Sequence, residues 1–520
     1  MADQMKKGIF YLSIAIIIYI LTFAINLPDS DLWARLAVGS IFFQTGHVLQ
    51  HDIFSYLPTK DLWIDHEWGS GVVFYFLARY LGEWGIFALK AFILFAILIL
   101  IIKIIKLQAN KDQGFAGVFY FIFLGFSLIP GIASLIRCQM FTYLFFTLWI
   151  YALERIRRQE NQFIWIFPVT MLLWVNLHGG FLAGIGLIII YAAGELLNYK
   201  NPLKYLGILA LIIPATLMNP YGFELWNYMI DASFMPRPYI QEWQSISLNG
   251  PIHMIGGMKI HILAGFMIFA LLTIMVSVKL LIQKGKPDWT KIILVTLLLY
   301  LSVKHQRHSE FFVLAVSGLL YHQYVHLFDP VRKFIKNKLS DKTDKVWEGI
   351  KYGFGYILLG AIFVYSMPYL SHSIIVDPMA YPVGSIEFIK QNNLSGNIAT
   401  TYNWGSYASW KLYPQGKVLI DGRYEEVYPD VVYDAAMQFS EHQGDWRAIL
   451  RDYHADVLVL SKRSYSPADV SNLTDWKLVY QDMSSVVLLP KDKIKSLYIY
   501  PDYKNPTYFK EDFSKKVKLD

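Results

Sequence analysis

Apolar residues in this chain are gathered into long blocks, and this grouping constrains the fold more than any other feature of the sequence. The first block, from Gly8 to Leu27, has about twenty residues, enough for one helix to cross the hydrocarbon core of a bilayer. The chain is 55% hydrophobic and only 17% charged over 520 residues. We predict an α-helical polytopic membrane protein of about eleven transmembrane helices, the first at 8–27 and the others near 84–107, 114–132, 139–154, 162–178, 180–198, 203–218, 261–283, 288–304, 309–328 and 351–370.

Lysine and arginine are distributed unequally between alternate loops. Basic loops are retained in the cytoplasm, and the basic set here is Lys6, Lys7, Lys103, Lys106, Lys111, Arg155, Arg157, Arg158, Lys200, Lys204, Lys279, Lys284, Lys286 and the run 332–351. We therefore expect a cytoplasmic N-terminus, an uncleaved first helix and an extracytoplasmic C-terminus. The net charge of +7 arises largely from these loops, so no nucleic-acid partner is expected.

Two segments of the first outer loop are amphipathic but too short to span. They run from Asp31 to Gly46 and from Glu67 to Gly82, and we predict helices lying in the membrane interface. After residue 371 short apolar runs alternate with helical patterns, which indicates an extracytoplasmic α/β domain. The predicted organisation is a membrane module at 1–370 followed by this domain at 371–520. The single cysteine, Cys138, excludes an intramolecular disulfide.

Polar residues collect at the predicted outer ends of the helices, where one wet chemical surface could form. Asp29 and Asp31 flank a serine directly after the first block, and alternate carboxylates can bind a divalent cation or supply a general base. The alternative is that Asp29 or Ser30 caps the helix that follows.

Other outer residues carry similar alternatives. His66 and Glu67 either bind a ligand or start a helix, and His178 precedes two glycines that either join helices or admit a substrate. An arginine can bind phosphate through two hydrogen bonds, but it can also extend to lipid headgroups without a specific ligand. For several of the other candidates, a role in a local turn explains the residue equally well. The further candidates for substrate binding are Arg137, Gln139, Asn219, Tyr221, Arg307, His308, Trp404, Asp421 and Arg423.

Nine stretches together resemble the GT-C glycosyltransferase superfamily, in a bacterial subgroup that carries an outer C-terminal domain. They are "DSDLWARLAVG", "HDIFSY", "WIDHEWGS", "SLIRCQMFTYLFF", "WVNLHGGFLAG", "MNPYGFELW", "KHQRHSEFFVLA", "YNWGSYASW" and "IDGRYEEVY". The resemblance implies an inner-membrane enzyme that moves a sugar from a polyprenyl-phosphate-type donor to an envelope glycan, lipid or protein, with inversion. It also implies that Asp29 and Asp31 supply the general base or hold a divalent ion (Mg or Mn), with Glu67 as a secondary acid.

One motif of the superfamily has no match in this sequence. The peptide-binding tryptophan-tryptophan-aspartate motif of oligosaccharyltransferases is absent, so transfer of a single sugar fits better than transfer of a whole oligosaccharide. The alternative functions are a flippase or exporter for a lipid-linked glycan and a non-catalytic scaffold for envelope assembly. A transporter, however, should place charges at mid-membrane, and the predicted spans carry few.

Overall fold

A computed structural model of the chain describes residues 2–24, 28–108, 117–133, 136–237, 240–247, 252–255, 258–261, 263–282, 286–330, 341–501 and 509–510. Three parts of the predicted basic set, Lys111, Lys284 and 332–340, lie outside these residues. The helices before residue 370 are α1 Ala2–Phe23, α2 Ser30–Thr45, α3 Trp68–Leu81, α4 Glu83–Gln108, α5 Val118–Ser127, α6 Gln139–Arg157, α7 Ile166–Leu177, α8 Phe181–Leu197, α9 Leu203–Thr216, α10 Glu224–Phe234, α11 Ala264–Ile282, α12 Trp289–Lys304, α13 Ser309–Leu319, α14 Tyr321–Leu327 and α15 Asp341–Ser366.

Most helix bounds follow the apolar blocks closely, but α1 and α15 begin six and ten residues before the predicted spans, and two other spans are interrupted. The predicted 114–132 span ends as a helix at Ser127 and continues as a π-helical turn, Ile129–Ala133, because Pro130 has no N–H for a regular helical bond. The predicted 309–328 span bends at Leu320, whose backbone groups still bond to both flanking helices. The two segments predicted to lie in the membrane interface form helices, α2 and α3, and their interfacial location stays a prediction.

Within the described residues, two helices are long and apolar enough to cross a membrane, α4 and α11. Six shorter apolar helices accompany them, at Lys7–Phe23, Val118–Ser127, Asn161–Leu177, Phe181–Leu197, Leu203–Thr216 and Gly353–Tyr369. The total of about eleven spans therefore stays a prediction.

A buried ion-pair network joins three helices at one end of the bundle. The Arg157 guanidinium, at the end of α6, lies 2.9 Å from carboxylate oxygens of both Glu195 and Asp288, and 3.2 Å from Glu154. Glu195 lies near the end of α8 and Asp288 directly precedes α12. The opposite ends of the same helices, at Gln139, Phe181 and Lys304, adjoin the cavity described below.

The C-terminal part is built on a five-stranded mixed sheet. Its strand order is β5-β4-β6-β8-β7, with the β4 pairs parallel and the β8 pairs antiparallel. The strands of the described chain are β1 Ile252–Ile255, β2 Met258–His261, β3 Ile375–Val376, β4 Gly396–Thr400, β5 Gly416–Val418, β6 Val457–Ser461, β7 Trp476–Gln481, β8 Ser485–Pro490 and β9 Phe509–Lys510. The helices among them are α16 Val383–Gln391, α17 Tyr402–Leu412, α18 Tyr424–Val427, α19 Asp430–Ser440, α20 Ala448–Asp452 and α21 Pro467–Ser471.

The loop between α2 and α3, predicted as the first outer loop, extends this sheet at its β5 edge. Phe54 and Tyr56 exchange backbone hydrogen bonds with Val418, at 2.8 and 3.0 Å. Tyr407 of α17 packs edge-on against Trp33 of α2, with the ring centres 5.2 Å apart. The C-terminal part is thus joined both to the loop and to helix α2.

Helices α2 and α3 approach each other through glycines. A methyl group on Gly39 would overlap the carbonyl oxygen of Gly71, and one on Gly71 would lie 2.8 Å from the carbonyl oxygen of Arg35. Gly69 makes a similar approach to Asn176 at the end of α7. These contacts set the distance between Arg35 and the residues that precede α3.

We predict that Gly39→Ala destabilises the protein by about 1–3 kcal/mol, because the added methyl forces the two helix backbones apart. Thermal unfolding in detergent measures the effect. The matched control is Gly207→Ala in α9, where a new methyl group meets nothing within 4 Å. Equal melting temperatures for Gly39→Ala and the control would show that close backbone contact is not required here.

Candidate functional site

Asp29 and Asp31 have different surroundings. Asp29 caps α2 by accepting a 2.6 Å hydrogen bond from the N–H of Ser30, and its other oxygen pairs with Nε of Arg137. The side chain of Asp31 is 34% exposed and its nearer oxygen lies 3.8 Å from the same Nε. The capping interpretation therefore holds for Asp29, while Asp31 stays more accessible.

The surroundings of Asp31 also change its acidity. Partial burial, reinforced by repulsion from Glu67 and Glu242, raises the pKa of Asp31 from its usual value to about 7. A carboxylate with a pKa near neutrality accepts a proton more readily than an ordinary aspartate. Of the two aspartates, Asp31 therefore has the exposure and the pKa that the predicted general base would need.

Arg35 forms the centre of a buried cluster. It is 2% exposed, pairs with Asp65, and lies 3.7 Å from Glu67 and 3.9 Å from Glu426. Burial raises the pKa of Glu67 and of Glu426 above their usual values, and Arg35 only partly offsets this. One guanidinium thus neutralises part of the charge of three carboxylates.

Two histidines lie against Glu67. His178 Nε2 is 3.2 Å and His66 Nε2 is 3.6 Å from the same carboxylate oxygen. The N–H of Gly180 donates to Nδ1 of His178 at 2.8 Å, so the neutral ring carries its proton on Nε2, facing Glu67. Burial lowers the pKa of His66 to about 3 and that of His178 well below its usual value, so both rings are neutral at neutral pH.

The glycines after His178 make this arrangement possible. Any larger residue at position 180 would bring a Cβ within 2.7 Å of His178 Nδ1, and at position 179 within 2.6 Å of the His66 ring. Thr142 accepts a 2.7 Å hydrogen bond from Trp174 and lies 2.8 Å from His178 Nδ1, which orients the ring further. The "HGG" turn therefore does more than join two helices.

A second cluster surrounds Glu242. Arg137 Nη1 lies 2.6 Å from one Glu242 oxygen, and Arg307 Nη1 lies 3.7 Å from the other. Burial alone would raise the pKa of Glu242, but the two arginines, with a hydrogen bond from Gln139, lower it below its usual value. Arg137 thus contacts the carboxylates of Asp29, Asp31 and Glu242, which take up its charge.

Two guanidinium groups, those of Arg237 and Arg307, lie against the indole ring of Trp243. Arg237 and Arg307 lie 4.3 and 4.4 Å from the centre of its indole ring, within cation–π range. His308 is close by, and burial together with Arg307 lowers its pKa to about 4. This group of side chains can bind an anion.

A cavity of about 450 Å³ lies beside these clusters, and some of their residues line it. Its polar end is lined by His66, Glu67, Gln139, His178, Arg237, Trp243, Arg307 and His308. Its other end runs between α8 and α12 and is apolar, lined by Leu182, Ala183, Gly186, Leu187, Ile190, Leu294, Leu297, Leu298 and Leu301. The cavity is therefore amphiphilic along its length.

Solved structures with the same arrangement of helices are glycosyltransferases. The chain matches the oligosaccharyltransferase of Archaeoglobus fulgidus over 87% of its own length and 69% of that chain, with 11% identity and a TM-score of 0.54. It matches ArnT from Cupriavidus metallidurans over 94% and 98% of the two chains, with 12% identity and a TM-score of 0.52. The match to the mycobacterial arabinofuranosyltransferase AftD covers 93% of this chain and 40% of that one, with 11% identity and a TM-score of 0.51.

The chain has the GT-C glycosyltransferase fold. No protein-family model and no curated protein sequence matches it, and identities of 11–12% show the fold alone. The fold-level resemblance expected from the sequence motifs is confirmed.

Eight of the predicted site residues are absent from the cavity lining: Asp29, Asp31, Arg137, Asn219, Tyr221, Trp404, Asp421 and Arg423. Asn219 closes its own turn by accepting from the N–H of Tyr221, whose hydroxyl donates to the carbonyl of Leu49. The Trp404 indole donates to the carbonyl of Ala380. The side chains of Asn219, Tyr221 and Trp404 thus make local and packing contacts. For Asn219 this agrees with the predicted turn.

Asp421 and Arg423 are also absent from the lining of the cavity. Arg423 donates to Asp421 at 2.7 Å and pairs with Asp52 of the first outer loop, and all three side chains are 1% exposed. One guanidinium is thus shared by two buried carboxylates in the contact between this loop and the C-terminal part. The substrate contact predicted for Asp421 and Arg423 stays a prediction.

Several residues at the candidate site were not among those predicted from the sequence. Glu426 and Glu242 reach it from distant segments, together with Arg237 and Trp243. A signal was present for Glu426, because it lies in the "IDGRYEEVY" stretch, three residues after Arg423. Spacing alone could not tell which of its charged residues turns towards the bundle.

The divalent ion predicted at Asp29 and Asp31 would meet an arginine. Nε of Arg137 already contacts both carboxylates, so a cation there would have to displace it. Among the described residues two other groups converge closely enough to ligate a metal, Glu67 with Cys138 and His178, and Glu67 with His66 and Glu426. Guanidinium groups supply the positive charge at the aspartate pair, and metal dependence stays a prediction.

We predict that Arg35→Met costs about 3–5 kcal/mol of stability, because three buried carboxylates lose their shared cation. The loss of stability in Arg35→Met should become smaller as pH falls, because protonation of the carboxylates removes their unpaired charge. Glu67 and Glu426 should be protonated first, since their pKa values are already raised. Unfolding in detergent at several pH values measures it, with Arg79→Met of α3 as the matched control. Equal loss in both variants at every pH would contradict this cluster.

Proposed function

We propose that the chain is a membrane glycosyltransferase that moves a sugar from a polyprenyl-phosphate-type donor to an envelope glycan, lipid or protein on the extracytoplasmic face. The observation that carries the proposal is the amphiphilic cavity, whose charged end and apolar end match the two halves of such a donor. One neighbour of the same fold, the archaeal oligosaccharyltransferase AglB, has been solved with a dolichol-phosphate and an inhibitory peptide, at 11% identity and a TM-score of 0.54.

The donor phosphate would bind to Arg237, Arg307 and His308. Both arginines line the cavity and are held against Trp243, which orients their guanidinium planes. Arg137, expected from the sequence to share this role, is instead held by three carboxylates. We assign Arg137 the role of orienting Asp29 and Asp31.

The prenyl chain would extend between α8 and α12. This groove is lined by leucine, isoleucine and small residues, and Gly186 keeps it open because nothing lies within 4 Å of the position of its missing side chain. An apolar chain buried there gains roughly 0.8 kcal/mol per methylene relative to water. The groove thus selects for a lipid-linked donor over a free sugar phosphate.

The proposed reaction is an inverting displacement. The acceptor hydroxyl loses its proton to the Asp31 carboxylate as its oxygen bonds to the anomeric carbon, while the bond from that carbon to the phosphate oxygen breaks. Arg237 and Arg307 stabilise the negative charge that develops on the leaving phosphate. Glu67, His66 and His178 line the polar end and can hydrogen-bond sugar hydroxyls.

We predict that Asp31→Asn lowers kcat by about 10²- to 10⁴-fold, the usual contribution of a general base. The assay incubates purified protein with a panel of polyprenyl-phosphate sugars and extracted envelope acceptors. Wild-type activity should rise with pH through about 7, because Asp31 must lose its proton to act as a base, and the variant should lack this rise. Asp29→Asn, which preserves a good helix cap, is the matched control and should lose less.

Wild-type rates in both aspartate variants would contradict the catalytic role. If no donor in the panel is bound or consumed by the wild-type protein, the transferase proposal fails, and the flippase or scaffold alternative gains support.

We predict that Gly186→Leu raises KM for a long-chain donor by about tenfold, the effect of displacing roughly two buried methylene groups. A donor with a single isoprene unit should be used as well as by wild type, because it does not fill the groove. The control is Gly207→Leu in α9, outside the cavity lining. An unchanged KM for long-chain donors would place the prenyl chain elsewhere.

A further inference from the structure

The C-terminal part enters the candidate site through the four-residue helix α18. Glu426 is the residue that reaches farthest: one of its oxygens lies 3.3 Å from Nδ1 of His66, and the other accepts a 3.2 Å hydrogen bond from the indole of Trp63. That second oxygen also lies 3.9 Å from Arg35. A single side chain from the C-terminal part therefore contacts three residues of the first outer loop and α2.

The chain on both sides of Glu426 is fastened to the same loop. Arg423 pairs with Asp52 and lies 4.7 Å from the ring centre of Trp63, in a contact that is 1% exposed. The carbonyl of Val427 accepts a 2.8 Å hydrogen bond from the N–H of Lys60. These contacts leave Glu426 little freedom to turn away from Arg35.

Tyr424, at the start of α18, is held in an unusual backbone conformation. Its φ of 42° lies in the left-handed region, which bulky residues adopt only when their surroundings enforce it. Its ring lies 6.0 Å from the guanidinium of Arg237, and its hydroxyl is 3.5 Å from the carbonyl of Pro236. Helix α18 thus contacts the cavity wall on one side and the Arg35 cluster on the other.

We infer that Glu426 is a positioning residue for glycosyl transfer, through which the C-terminal part holds His66 and Arg35 in place and thereby orients Glu67 at the polar end of the cavity. This inference rests on the proposed function. His66 lies between two carboxylates, with Nδ1 3.3 Å from Glu426 and Nε2 3.6 Å from Glu67. Without Glu426 the ring loses one of these two neighbours, and we expect Glu67 and the hydroxyl groups that it binds to be less well aligned.

The first test compares Glu426→Gln with wild type in the transfer assay. We expect kcat to fall by about 10- to 100-fold, the usual effect of misplacing reacting groups by a fraction of an ångström to 1 Å. KM for the donor should stay within about twofold, since Glu426 touches neither the phosphate-binding arginines nor the apolar groove. Glu426→Asp keeps the charge on a shorter side chain and should restore part of the rate.

The matched control is Glu441→Gln, an exposed glutamate just after α19. Melting temperatures of all variants show whether a loss of rate is a loss of folding. If Glu426→Gln does not fold, Glu426→Asp alone decides: wild-type kcat in that variant overturns the inference, and a lowered kcat with unchanged donor KM supports it.

The second test needs no substrate. Diethylpyrocarbonate labels accessible neutral imidazoles, and peptide mass spectrometry reports the label at His66. We expect labelling of His66 to be about two- to tenfold faster in Glu426→Gln, the change that losing one polar contact gives, and unchanged in Glu441→Gln.

The two tests separate the inference from the proposed function. Faster labelling in Glu426→Gln, with no transfer by any wild-type preparation, would support the placement of Glu426 and overturn the transferase proposal. Wild-type kcat together with wild-type labelling in Glu426→Gln would overturn the positioning role, whatever reaction the protein performs.

Discussion

A single buried guanidinium, that of Arg35, connects the parts of this protein that make up its candidate site. It contacts Asp65 and Glu67 from the first outer loop and Glu426 from the C-terminal part. Three ionised carboxylates cannot be buried together without a cation. The segments that carry them therefore come together at Arg35. Its place in turn depends on Gly39 and Gly71, which let α2 and α3 touch through their backbones.

Two charged clusters adjoin each other at the candidate site, and only the second lines the cavity. In one, Arg137 gathers Asp29, Asp31 and Glu242, and leaves Asp31 the most accessible carboxylate with a pKa near neutrality. In the other, Arg237 and Arg307 lie against Trp243 at the polar end of an apolar groove. A carboxylate beside an anion site and an apolar groove is the arrangement that the proposed displacement of a lipid-linked phosphate requires.

Much of the fold could be predicted from the sequence, because apolar blocks and their periodicity are local properties. The bounds of α2, α4 and α8 agree with the predicted segments within a few residues. The acidic pair and the histidine-glycine turn could also be selected, because polar groups next to long apolar blocks are costly unless they have a role. Asp31, Glu67 and His178 are brought together as candidate site residues.

Partner choice between distant segments could not be predicted. Trp63 and Glu426 are 363 residues apart, and Arg423 and Asp52 are 371 apart. Spacing in one sequence does not show which carboxylate pairs with which arginine. Arg137 was therefore predicted to bind phosphate, whereas in the structure it lies against three carboxylates. Arg423 was predicted to bind substrate, which stays a prediction, and in the structure it pairs with Asp52.

The most direct measurement is a cryo-electron microscopy structure of the purified protein with a polyprenyl phosphate bound. The amphiphilic-cavity account predicts phosphate density within hydrogen-bonding distance of Arg237 or Arg307, and chain density between α8 and α12 past Gly186. Density for the phosphate at Arg137 with Asp29 displaced, or for the prenyl chain on the outer surface of the bundle, would contradict it.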